Sequence, residues 1–248
     1  ISSVGTHSHI PHLPKAVVRP RQSPSMALKE IFSTLADRQF LVLFIATLFG
    51  AIAAGFSASL HFIMYSYFWE FSQTQIFITT LLVPLSAIGG FIVAPRVGRR
   101  FGKRRSVVLL GLIAFTGSPL LVGLRLIDVL PANGDPLLFP MVVSILYLDL
   151  ALIIALQIIF ASMVADLVEH SAVKTGRRSE GVFNAAVTFT RKSTLGLGAL
   201  VAGTVLSVSQ FPEDAVPGQV AADTLWQLGA WYAPTLFLTY MAMVFAVS

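Results

Sequence analysis

The stretch ADLVEHSAVKTGRRSEG, Ala165 to Gly181, is a dense knot of charge held between two long apolar runs, approximately Leu137–Val164 and Val182–Val208. The second run carries Arg191 and Lys192 about ten residues in, at a depth where a lipid-facing helix does not hold charge. A charge cluster at the water boundary joined to a helix with a cation at mid-depth is an arrangement suited to moving a solute across a membrane. The rest of the chain can be tested against that expectation.

Working outward, four further apolar runs appear, approximately Phe40–Phe68, Ile76–Val93, Val107–Leu124 and Leu228–Val247. All are close to the roughly 20 residues needed to cross a bilayer. None alternates with the period of a strand, and backbone groups in lipid must be satisfied within a helix. The expected fold class is therefore all-α, an integral membrane bundle of six transmembrane helices. Composition agrees: of 248 residues 55% are hydrophobic and 12% charged, with a mean hydropathy of +0.79, against about 25% charged residues in a soluble domain. The chain has no cysteine, which excludes disulfides and thiolate metal sites. The net charge of +5 is read as basic cytoplasmic loops, with no nucleic-acid partner implied.

Residues 1–38 form a separate region. Pro11, Pro14, Pro20, Pro24 and the histidines His7, His9 and His12 mark a polar linker with too little apolar surface to fold alone. Those histidines have no acidic or thiol partner nearby, so no metal site is expected. Met26–Arg38 alternates apolar and charged positions at helical spacing, predicting a short amphipathic helix. Residues 39–248 form the bundle. Ile1 is not an initiator methionine and no signal peptide follows it, so a piece of a longer protein is expected.

Lysine and arginine set the expected orientation. With the amino terminus inside, the inner segments receive the cations of Lys15–Arg38, Arg96–Arg105 and Lys174–Arg178, while the outer loops receive only Arg125. Both ends are then cytoplasmic, in a cytoplasmic (inner) membrane. Tyr65, Tyr67 and Trp69 read as an aromatic belt at the outer edge. The small-residue runs GAIAAGFSAS, Gly50–Ser59, and GLGALVAG, Gly196–Gly203, predict close helix packing. Pro84 and Pro119 fall inside spans and are expected to bend them.

Lys192 is the leading site candidate. It lies about 15 Å inside its span at 1.5 Å per residue. Asn184 and Thr188 share its face at spacings of four, and such a polar stripe fits a cavity better than lipid. Arg191 points about 100° away and fits a structural pairing as well as a substrate contact. Asp149 is the acid within a span; it is read as a proton or cation site, a partner of Lys192, or a group that reaches outer water or a hydroxyl. His61 is read as an interface histidine. Asp166, Glu169, Arg178 and Glu180 face the basic segment around Arg96, so they are expected either to gate the inner face or to be merely solvated.

These residues resemble the glycoside–pentoside–hexuronide cation symporters, the melibiose permease group of the major facilitator superfamily. The likeness rests on MVADLVEHSAVKTGRRSEG, then TFTRK (Thr188–Lys192) and GLGALVAG, together with APRVGRRFGKRR (Ala94–Arg105), and runs from about Ala27 to Val247. The resemblance implies a carboxy-terminal half, helices seven to twelve of a twelve-helix transporter, preceded by the central cytoplasmic loop. It implies that Lys192 and Thr188 face the sugar, and that Asp166, Glu169 and Arg178 form a cytoplasmic charge network with Arg96. Gln157 stands where relatives can place an aromatic beside the sugar, so a galactoside-type substrate is not carried over. Ala172 stands where some relatives have another acid, which thins the network. The coupling cation, sodium or proton, and the principal sugar-binding carboxylates are implied to lie in an amino-terminal six-helix bundle outside this chain; no other cofactor is implied.

The expected function is cation-coupled symport of a sugar or glycoside by alternating access. A lipid or amphiphile transporter of the same fold is the alternative, since one cation in an apolar cavity also suits a head group. A non-transporting half is a further alternative. An enzyme using Asp166 and His170 is not expected, because no nucleophile or metal-ligand set accompanies them.

Overall fold

A computed structural model of the chain describes residues 38–175 and 180–247. Contacts divide the chain into Ile1–Leu35 and Ala36–Ser248, and the described residues all belong to the second unit. The expected linker, its histidines and its amphipathic helix lie outside the described residues.

Among the described residues the structure is all helix. The long helices are α1 (Arg38–Ile63), α2 (Gln73–Phe101), α3 (Lys103–Leu126), α4 (Leu138–Thr175), α5 (Glu180–Val208) and α6 (Ala222–Val247). Five of the six are long and apolar enough to span a bilayer, and α5 contributes the shorter apolar stretch Gly196–Val208 among the described residues. Large apolar side chains such as Phe77, Leu81, Ile88 and Phe91 on α2 and Leu200 on α5 point outward. Such surfaces belong against lipid or another apolar surface.

Helix ends follow local chemistry. Ser72 and Gln75 form a capping box at the start of α2: the Gln75 backbone N–H donates to the Ser72 hydroxyl, and the Ser72 N–H donates to the Gln75 side-chain oxygen at 2.8 Å. A single residue, Gly102, separates α2 from α3 and takes φ 77°, a conformation that a Cβ would strain. The basic run Ala94–Arg105, read in the sequence as an inter-span loop, is thus two helix ends and one glycine. At the Ala165–Gly181 knot the helix runs on past the apolar run that ends near Val164. Helix α4 continues through Asp166 and Glu169 to Thr175, because charged residues end a membrane span without ending a helix.

The helices pack in a pattern that repeats. Helix α1 packs mainly on α5 and α6, and α4 packs mainly on α2 and α3, while α3 packs on α6. Exchanging α1 with α4, α2 with α5 and α3 with α6 leaves this pattern unchanged. The triplets α1–α3 and α4–α6 are therefore related as two structural repeats. Helices α1 and α4 themselves meet only slightly.

Glycines make the close crossings possible. A Cβ on Gly198 would lie 2.5 Å from the Ile52 carbonyl oxygen and the Phe56 nitrogen, so α5 rests backbone to backbone on α1. The two small-residue runs singled out in the sequence meet at this point. At the corresponding crossing of the other triplet, a Cβ on Gly90 of α2 would meet the Ile154 side chain and, at 3.0 Å, the Ala151 carbonyl oxygen of α4.

Helix α1 ends in a π-helical turn, Met64–Phe68, which buries Met64, Ser66 and Phe68. This turn alters the reading of Tyr65, Tyr67 and Trp69 as an aromatic belt for Trp69, while the two tyrosines stay half-buried. Trp69 is 4% exposed, set edge-on to Phe68 and stacked on Phe71, and the Tyr67 hydroxyl donates to the Ala215 carbonyl. The wider turn shifts the direction of the side chains that follow it, and the apolar area of the Trp69 ring is buried in the protein.

The core has two apolar clusters along the bundle. One gathers around Phe56, Leu60, Leu121, Leu138 and Leu228, the other around Val107, Phe115, Leu156, Ile159 and Val244. Between them, α3 presents Gly117 and Ser118, α4 presents Asp149, and α6 presents Tyr240.

Candidate functional site

Three groups of polar residues stand out among the described residues. The first is the stripe expected on α5. Thr188 and Lys192 are both exposed and one turn apart. Gln157 is exposed on α4. Helices α4 and α5 pack mainly on different neighbours. The side chains of Asn184 and Arg191 lie outside the described residues.

The second group lies where the basic segment meets the far end of α4. Asp166 accepts from the Lys103 ammonium at 2.5 Å. Arg96, the partner implied by resemblance, instead donates to the Ile92 carbonyl one turn back on its own helix. Charge pairing between the basic segment and α4 is present, but Lys103 provides it. Arg104 donates to the Val247 carbonyl at 3.0 Å and so ties the start of α3 to the end of α6. Glu169 is exposed, and Arg178 lies outside the described residues. Both partners of the Lys103–Asp166 pair are well exposed, at 41% and 60% of their side chains, so the pair is worth no more than about 1 kcal/mol.

The third group was only partly legible in the sequence. Asp149 is 8% exposed, and its carboxylate lies directly against Gly117 of α3, where any side chain would occupy the same space. It faces the Ser118 backbone amide, and its Oδ2 has no hydrogen-bond partner among the described residues. It lines a cavity of about 190 Å³ with Ser57 and His61 of α1, Ser86 of α2, Ser118 of α3 and Tyr240 of α6. A smaller pocket of about 60 Å³ adjoins it through Ser57, His61, Tyr65 and Ser118 and reaches Met64 in the π-helical turn. The Tyr232 hydroxyl engages the hydroxyls of Ser57 and Ser118. The Phe115 and Tyr240 rings stack in parallel at 3.8 Å beside this layer.

This placement narrows the readings of Asp149. It packs into the α3 side of the bundle, whereas Lys192 sits on α5, which packs mainly on α1. His61 is exposed, as expected of an interface histidine, and also stands at the pocket's rim against Tyr65, with ring centres 4.1 Å apart. The hydroxyls that complete the layer come one or two at a time from separate helices and carry no spacing signal. In the sequence only the isolated acid and histidine could be singled out.

Comparison with known proteins agrees with this architecture. A family model described as MFS/sugar transport protein matches residues 1–248. The chain is 23% identical over 182 residues to the isoprimeverose transporter of Lactiplantibacillus pentosus. That alignment covers 72% of this chain and 36% of the relative, so the chain spans about a third of the length of the relative it matches. No solved structure matches. With all-helical structure, membrane-length apolar helices and a family match along its whole length, the chain belongs to the MFS/sugar transport family of multi-pass membrane proteins.

Proposed function

We propose that this chain forms one six-helix bundle of a secondary transporter that carries a sugar or glycoside, coupled to a cation, by alternating access. In such transporters the substrate sits near the bilayer middle between two bundles that rock around it. The carrying observation is the exposed pair Thr188 and Lys192 in the middle of α5. A cation so far from either helix end is costly against lipid, and it is accommodated if that face borders a water-filled path shared with an amino-terminal bundle. Lys192 and Thr188 would donate to sugar hydroxyls, with Asn184 on the same stripe and Gln157 from α4; Arg191 would support that helix. The coupling sodium or proton would bind chiefly in the amino-terminal bundle. The relative's cargo makes isoprimeverose the first glycoside to try.

The charged end fits a gate. Lys103–Asp166, with Arg96, Glu169 and Arg178 nearby in sequence, would close the inner face and part when the path opens inward. The six cations from Arg96 to Arg105 at one end of the bundle, against Arg125 at the other, support placing that end and both chain termini in the cytoplasm. The test is uptake of labelled glycosides by cells making the whole transporter. Lys192→Ala is expected to lower uptake at least tenfold at unchanged membrane abundance. Unchanged uptake would remove Lys192 from the path, and uptake of labelled phospholipid in place of any sugar would favour the amphiphile reading.

A further inference from the structure

The polar layer around Asp149 belongs to neither the α5 stripe nor the charged end, and it has an unmet requirement. A buried charge is retained only where something compensates it. Among the described residues no lysine or arginine lines the cavity, and one carboxylate oxygen has no partner. Gly117 lets the carboxylate press against the α3 backbone, a close approach that any other residue there would prevent. The cavity beside it has room for water, and exposed His61 stands at its rim.

We propose that Asp149 is a proton-exchange site within this bundle, taking a proton from water in the cavity in one state and returning it in another. The exchange is balanced: the carboxylate oxygen gains an O–H bond and hydronium becomes water, with the reverse on release. Among the described residues Asp149 is the one carboxylate lining the cavity, and neighbouring hydroxyls point their hydrogens elsewhere. Ser86 donates to the Leu82 carbonyl at 2.9 Å, Thr79 donates to the Ile76 carbonyl, and Tyr232 engages Ser57 and Ser118. A metal cation would need several oxygens turned toward one point, whereas a proton needs only the free lone pair at Oδ2. The titratable groups facing the site are His61 and Tyr65 from α1, Tyr147 from α4 itself, and Tyr240 from α6; α2 and α3 contribute hydroxyls only. Tyr232 of α6 stands one hydroxyl further off, behind Ser118.

Infrared difference spectroscopy of the whole transporter in lipid nanodiscs, stepped between acid and alkaline buffer, tests this directly. A pH-dependent carbonyl stretch of a protonated carboxylic acid is expected, absent in Asp149→Asn and shifted in Gly117→Ala. Exchanging potassium for sodium at constant pH is expected to leave it unchanged. A spectrum in which Asp149→Asn removes no such band overturns the proposal, and a band abolished by sodium overturns it in favour of a metal-cation site. Should Asp149→Asn fail to assemble, the Gly117→Ala shift decides, and an unmoved band counts against the assignment. The measurement uses no substrate, so its failure leaves the transport reading standing, and absent sugar uptake leaves the proton site standing.

Discussion

The two triplets, α1–α3 and α4–α6, meet their neighbours in the same pattern but differ in what they place at the crossings. Where α5 crosses α1, Gly198 lies on the backbone of Ile52 and Phe56. Where α2 crosses α4, Gly90 lies chiefly on the Ile154 side chain. The first joint is rigid because nothing at it can turn aside; the second ends partly on atoms that can adjust. The chemistry is unequal too. Asp149, Gln157, Thr188 and Lys192 all belong to α4–α6, while α1–α3 answers with His61, hydroxyls and the basic end. A repeated skeleton therefore does not carry a repeated site.

Substitutions at the two joints should break this comparison most sharply. Gly198→Ala is expected to cost more than about 3 kcal/mol, beyond the usual range for overpacking, because the added carbon meets backbone. Thermal unfolding in detergent should show the variant poorly folded. Gly90→Ala is expected to cost about 1–3 kcal/mol, with a cooperative transition at lower temperature. Equal losses at both sites would mean that the joints are mechanically alike. The smallest effect is expected at the charged end. Lys103→Ala should lower stability by less than about 1 kcal/mol, and added salt should erase the difference. If that variant nevertheless changes uptake strongly, the pair acts on the transport cycle more than on the fold.

Much of the fold was legible because hydropathy and length constrain a membrane protein so tightly. The glycine-rich contact between α1 and α5 was legible as well, since small residues clustered in both runs. Helix ends were not: Arg96–Arg105 and Asp166–Thr175 are polar, and polarity marks the water boundary, which helices cross freely. The inward turn of Trp69 depended on a π-helical turn that no residue pattern announces. The Asp149 layer was half visible. A lone acid in a span draws notice, but Ser57, Ser118 and Tyr240 become meaningful only when five helices bring them together.

The length of α4 has a mechanical consequence. At 1.5 Å per residue, Asp166 stands about 25 Å along the axis from Asp149. A helix of this kind works as a lever arm whose short end is the polar layer and whose long end carries the Lys103 contact. A tilt of about 5° pivoting near Asp149 sweeps the Asp166 end through about 2 Å, enough to part an ion pair held at hydrogen-bond distance. Adding or losing one proton at mid-depth would thus have a ready means of being felt at the water boundary, without any loop or hinge in between.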